Sequence, residues 1–166
     1  MTISEMTMEN TKTMKVGEIM HESPVCCMQT DTVQHAAETM KENHVGALPV
    51  VKKGSRGKLI GMVTDRDLCL RVLAEAREPL KVKVEECMTG APVCCLQTDT
   101  VDRALELMRE FHVRRIPVVD EAKRICGIIS FANLVINHVA PDQIFDMLRA
   151  VSVPTPEAMQ CYCSRA

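Results

Sequence analysis

In the stretch "GMVTDRDL" (Gly61 to Leu68) a hydroxyl and a carboxylate, Thr64 and Asp67, stand three residues apart where a β-branched run gives way to a helical one. Thr64 is a natural helix N-cap. The first N–H groups of the helix it opens lie unpaired and carry partial positive charge, which favours anionic or oxygen-rich ligands. Asp67, on the first turn, can accept hydrogen bonds from both hydroxyls of a ribose, as acidic residues do in dinucleotide-binding folds. The same two residues also make a plain capping pair with no ligand, and spacing alone does not separate the two readings. Gly61 permits close backbone approach on the strand.

Cysteines are the other candidates. "PVCCMQTDTV" (Pro24 to Val33) recurs as "PVCCLQTDTV" (Pro92 to Val101), nine of ten letters agreeing at an offset of 68. Adjacent residues on a strand point to opposite faces, so Cys26 and Cys27 are poorly placed to hold one metal ion. Zinc motifs favour C-x₂₋₄-C spacing instead. Buried Cys packs as a small apolar residue, and a duplication copies whatever its ancestor carried. Packing is therefore favoured over a metal or redox role, and no metal ligands are assigned. Cys161 and Cys163, in a tail, are the better candidates for reactive thiols.

The elements that must position these residues come twice. "EIMHESPVCC" (Glu18 to Cys27) aligns with "ECMTGAPVCC" (Glu86 to Cys95), and "MKENHVGALPVV" (Met40 to Val51) with "MREFHVRRIPVV" (Met108 to Val119). "GMVTDRDL" then aligns with "GIISFANL" (Gly127 to Leu134), the second copy being two residues shorter. Such internal repetition decides the fold class. In each copy "PVCC" reads as a strand start. Asp31 with Gln34, and more weakly Asp99 with Asp102, are candidate helix caps. Val33, Ala36, Ala37 and Met40 form an amphipathic stripe ending near His44, repeated at Val101, Ala104, Leu105 and Met108. "ALPVV" and "IPVVD" read as strands, "KKGSRGK" as a hairpin loop, and "LIGMVT" and "ICGIIS" as the returning strands before further helices.

The pattern predicts an α/β (α+β) fold of two β-α-β-β-α repeats packed face to face, since one unit alone cannot bury its sheet face. The expected divisions are a flexible segment 1–14, repeats at 15–80 and 81–141, and a C-terminal helix and tail at 142–166. "DQIFDMLRAV" (Asp142 to Val151) supplies that helix.

Composition excludes several classes. The 166 residues are 46% apolar and 25% charged with a net charge of −2, which gives no bulk drive toward nucleic acid or an anionic membrane. Aromatics are scarce, with no Trp, one Tyr and three Phe, so single-strand stacking platforms are not expected. The first residues lack a secretory pattern, and no stretch approaches the ~18 apolar residues of a membrane helix. A cytoplasmic protein is expected, with its nine cysteines mostly free thiols. No nucleophile–base spacing, phosphate-binding G-x-x-x-x-G-K-[ST] loop or H-E-x-x-H is present, so neither a catalytic residue nor an enzyme activity is expected.

The repeated "HVGALPVV…GMVTDRDL" and "HVRRIPVVD…GIISFANL" resemble a tandem pair of cystathionine-β-synthase (CBS) domains over roughly Val16 to Ala140. The resemblance implies a pseudo-twofold module of the stand-alone bacterial type that associates as a homodimer. It implies a cleft for an adenine nucleotide (AMP, with ADP or ATP as variants) or a related adenosyl ligand, and a regulatory role exerted on a further protein. It also implies the site. Thr64 and Asp67 would hold the ribose, and Arg114 and Arg115, with help from His112, would meet the phosphate, for which guanidinium geometry is suited. Val45, Ala47, Leu48 and Met62 would wall the adenine. A second, weaker cleft would use Gly46 and Ala47 with Ser130 and Asn133, where an amide replaces the carboxylate. The ligand is not a cofactor in the catalytic sense, and no cofactor is expected. Two other classes stay open: an interaction scaffold without a ligand, and a thiol-based redox or metal sensor.

Overall fold

In the computed structural model the described residues are 12–152; residues 153–166, with Cys161 and Cys163, lie outside them. The first residues of the expected flexible segment fall outside as well, but Met14 belongs to the fold, its carbonyl accepting from the Val101 N–H at 3.0 Å.

Both repeats form the expected elements. A short helix α1 (Val16–Ile19) and strand β1 (His21–Glu22) precede β2 (Cys27–Met28), α2 (Val33–Glu42), β3 (Ala47–Val51), β4 (Leu59–Thr64) and α3 (Asp65–Leu68). Helix α3 runs on into a π turn at Cys69–Leu73. A 3₁₀ turn (Val84–Glu86) and β5 (Thr89–Gly90) lead into β6 (Cys95–Leu96), α4 (Val101–Glu110), β7 (Arg115–Val119), β8 (Ile125–Ser130), α5 (Phe131–Ile136) and α6 (Pro141–Ser152). The "PVCC" strands are only two residues long and begin at the second cysteine of each pair. The "KKGSRGK" loop turns with Gly54 and Gly57 at φ +75° and +80°, values that favour glycine.

The helix caps fall one residue later than expected. Thr32 and Thr100 are the N-caps, accepting from His35 N–H and Arg103 N–H at 3.2 Å each. Asp31 and Asp99 instead tie down the preceding turns, accepting from the Met28 and Leu96 N–H groups at 2.7 and 2.8 Å. A short side chain beside a threonine already in the extended conformation closes the turn and leaves the helix end to its neighbour.

The two sheets are built by exchange. One has strand order β2-β3-β4-β5 and the other β1-β8-β7-β6. Thus β1, near the start of the first repeat, pairs antiparallel with β8 of the second, and β5, near the start of the second, pairs with β4 of the first. The cores follow the same rule: Val16 and Ile19 pack with Leu105, Met108, Ile116 and Ile129, while Val82, Val84 and Cys87 pack with Leu48, Val50 and Val63. Where β1 and β5 cross Gly127 and Gly61, an added Cβ would stand 2.3 and 2.6 Å from the sulfurs of Met20 and Met88. The twin hairpins also meet, Leu59 N–H donating to Lys123 O at 3.0 Å and Ile125 N–H to Gly57 O at 2.9 Å.

One asymmetry comes from outside the repeats. Helix α6 packs against α4 and α5, with Met147 fully buried. Burying a side chain of that size contributes about 1.5–3 kcal/mol. Leu105 and Leu107 are buried on α4, whereas Ala37, matched to Leu105 and expected in the apolar stripe, is exposed on α2. The difference lies in the additional helix that covers α4.

Candidate functional site

The Thr64–Asp67 pair sits where β4 ends and α3 begins. Thr64 Oγ1 accepts from Asp67 N–H at 3.1 Å, and Asp67 Oδ2 accepts from Thr64 N–H at 3.0 Å, closing a capping box. The Thr64 hydroxyl also donates to Asp67 Oδ2 at 2.7 Å. Asp67 Oδ1 is 3.5 Å from Arg71 Nε, and Arg71 Nη1 donates to the carbonyls of Cys87 and Met88 at 2.9 and 3.2 Å. The capping reading of this pair is therefore realised. It does not exhaust the pair, because both residues also line a cleft.

That cleft, about 810 Å³, is lined from the first repeat by Gly46, Ala47, Met62 and Thr64 through Asp67, and from the second by Phe111 through Arg115 and by Pro117. Thr89 and Ala91 through Val93, near the start of the second repeat, complete the wall. The volume is that of a small-molecule site. Three guanidiniums (Arg66, Arg114 and Arg115) stand in it against two carboxylates, Asp65 and Asp67. Carboxylate and arginines from opposite repeats thus face one groove, with an apolar stretch of Ala47, Met62, Pro92, Val93 and Phe111 between them.

Two expected adenine-wall residues are elsewhere. Leu48 is fully buried, opposite Val63 in the first core. The strand's period of two that turns Ala47 to the cleft turns Leu48 away from it. Val45 is 40% exposed and is not among the lining residues. Ala47 and Met62 line the cleft. Gly46 and Ala47 also correct the pairing expected for a second cleft, since both line the cleft of Asp67. Ala47 lies opposite Thr64 across the β3–β4 ladder, and Asp65 N–H donates to Gly46 O at 3.1 Å. A Cβ on residue 46 would meet Asp65 Oδ2 at 2.8 Å, so glycine makes room for that carboxylate.

Ser130 and Asn133 are not among the residues lining this cleft. They form a capping box of their own, Asn133 Oδ1 accepting from Ser130 N–H at 2.9 Å and from its hydroxyl at 2.6 Å. Arg115 lies opposite Ser130, and Phe131 N–H donates to Arg114 O at 3.1 Å. The arginines thus share backbone with the second turn while lining the cleft of the first.

Sequence reasoning missed Asp65, Arg66, Phe111 and the 89–93 wall. Phe111 is 51% exposed at the C-cap of α4, where the first repeat has Asn43, and an exposed aromatic beside two arginines was the available signal. The 89–93 wall had no local signal, because strand exchange brings it there.

The paired cysteines take opposite faces: Cys27 and Cys95 are buried, Cys26 and Cys94 half-buried. Burial pushes the Cys27 and Cys95 thiols up to about 12 and Cys26 to about 11, so these thiols are poor nucleophiles. Among the described residues no group of three or more His, Cys, Asp and Glu side chains could hold a metal ion. No helix among them is long and apolar enough to cross a membrane.

Two repeats of this order, joined by exchanged strands around a central cleft, define a paired-domain fold. The profile described as CBS domain matches residues 16–74 and 84–137, and the chain belongs to that family. It is similar to the uncharacterized protein YlbB of Bacillus subtilis, 35% identical over 138 residues covering 83% of this chain and 91% of the relative. Among solved structures it is similar to hypoxic response protein I with two coordinated zinc ions (TM-score 0.67, 30% identity, 73% of this chain and 96% of that one). It is also similar to CBSX2, of Arabidopsis thaliana, in complex with AMP (TM-score 0.64, 27% identity, 75% and 95% covered).

Proposed function

We propose that this chain is a regulatory module that binds an adenine nucleotide, AMP in the first place and ADP or ATP as alternatives, in the cleft between its repeats. The observation that carries this reading is the convergence of Thr64 and Asp67 from one repeat with Arg114 and Arg115 from the other on one cleft of about 810 Å³. Asp67 accepts from the ribose hydroxyls, the two arginines meet the phosphate, and Ala47, Met62 and Phe111 face the base. The AMP complex of CBSX2 supports the ligand class. The zinc of hypoxic response protein I has no matching group of three ligands among the described residues, so zinc serves as a control ligand.

The module acts by binding and not by catalysis. Occupancy changes how the two repeats pack and so reports nucleotide level to a regulated protein. It works as a homodimer in the cytoplasm. Leu70 and Ile136 occupy matched positions on the helices after β4 and β8, are 52% and 71% exposed, and supply apolar surface on both halves for a second copy. Titration calorimetry with AMP, ADP, ATP and zinc tests the reading. One strong nucleotide site per chain, weakened in Asp67→Ala, is expected; two identical independent sites, or a response to zinc alone, would refute it.

A further inference from the structure

His112 belongs to two structures at once. It lines the cleft beside Arg114 and Arg115, and its Nδ1 lies 3.0 Å from the carbonyl oxygen of Ala150, in the last turn of α6. A carbonyl only accepts, so Nδ1 carries the proton and Nε2 is left for the cleft. The rest of α6 is anchored on the same repeat: Gln143 Nε2 donates to Asp102 Oδ1 at 3.3 Å near its start, and Met147 is fully buried at its middle. The helix lies beyond both stretches matched by the family profile, and the outer side of its first half carries Phe145, 66% exposed.

We infer that His112 couples occupancy of the cleft to helix α6, bridging an anionic ligand on Nε2 and the C-terminal carbonyl of Ala150 on Nδ1. The inference rests on the nucleotide reading and adds the element through which that site is regulated. The direction follows from charge. As an imidazolium His112 donates from both nitrogens, one to a phosphate oxygen in the cleft and the other to the Ala150 carbonyl. The negative end of the α6 dipole attracts that charge. Ligand and helix end therefore strengthen each other's hold on one ring, and a filled cleft tightens α6. Because coupling is reciprocal, α6 in turn tightens the ligand.

His44 provides an internal control. It stands at the matched position with nearly the same left-handed backbone, φ +54° against +52° for His112. Asn tolerates that conformation, so His112→Asn and His44→Asn remove the ring without straining the chain. Hydrogen exchange followed by mass spectrometry on residues 141–152, with and without AMP, reads the coupling. In the natural chain AMP slows exchange there by about fivefold, the lower end of typical coupling between sites. His112→Asn removes that response and weakens AMP by a similar factor, while His44→Asn leaves both intact. Calorimetry run alongside separates the two failures. AMP bound with unchanged exchange in α6, or a full response in His112→Asn, overturns the coupling alone. No binding of AMP, ADP or ATP overturns the nucleotide reading and the coupling with it.

Discussion

In the first repeat Thr64 closes its capping box with a carboxylate, and in the second Ser130 closes the same box with an amide oxygen. In both turns the N-cap N–H donates to the side-chain oxygen three residues on, at 3.0 and 2.9 Å, so that contact does not require the charge. What the carboxylate adds is a charged acceptor facing a cleft whose far wall carries Arg114 and Arg115. Gly46 and Ala47, matched to these arginines in the first repeat, offer no charge and line the same cleft. Two turns alike in backbone thus differ in the ligand they suit, and the difference rests on a few side chains.

The largest effect should come from the arginines. Replacing both Arg114 and Arg115 by Ala removes two charge-assisted contacts of about 1.5–3 kcal/mol each, so AMP affinity should fall ~100-fold or more by calorimetry. An unchanged affinity would break the comparison at its strongest point.

Next comes exchange of the two turns' own residues. Asp67→Asn keeps the cap and loses the charge, so affinity should drop about tenfold with thermal stability almost unchanged. Asn133→Asp gives the second turn a carboxylate while Arg114 and Arg115 still line the cleft of the first, and a second tight site should not appear. If one does, the carboxylate alone defines the site.

The smallest effect is one the halves share. Burial lifts the Cys27 and Cys95 thiols from an ordinary 9.0 to about 12. Between those values the unfolded chain has released protons that the folded chain retains, so stability is whole below pH 9 and falls as pH rises toward 12. Thermal melts across this range should show the decline. Cys27→Ala and Cys95→Ala should each flatten it, and to a similar degree, because the cores are matched where the cleft is not.

Much of this was legible in the chain. The 68-residue offset marked two units, and the β-branched runs and their turns gave β3, β4, β7 and β8 almost residue for residue. Thr64 and Asp67 stood out by type and spacing, and Arg114 and Arg115 followed from the family resemblance. The caps were misplaced by one residue because Asp and Thr stand side by side at each helix start, and only the backbone conformation shows which of them closes it. Leu48 was misread for a similar reason: a run of apolar residues does not say which faces the core, whereas the ladder pairing Ala47 with Thr64 does.

The sequence by itself determined the two units, their order of elements and the unequal side chains at the two turns, because periodicity and residue type are local properties. Tertiary structure alone decided that β1 and β5 trade sheets, that residues 89–93 wall a cleft opened by the first repeat, and that α6 reaches back to His112. Those contacts join residues far apart along the chain, and their energy comes from surfaces that exist only once both halves have packed.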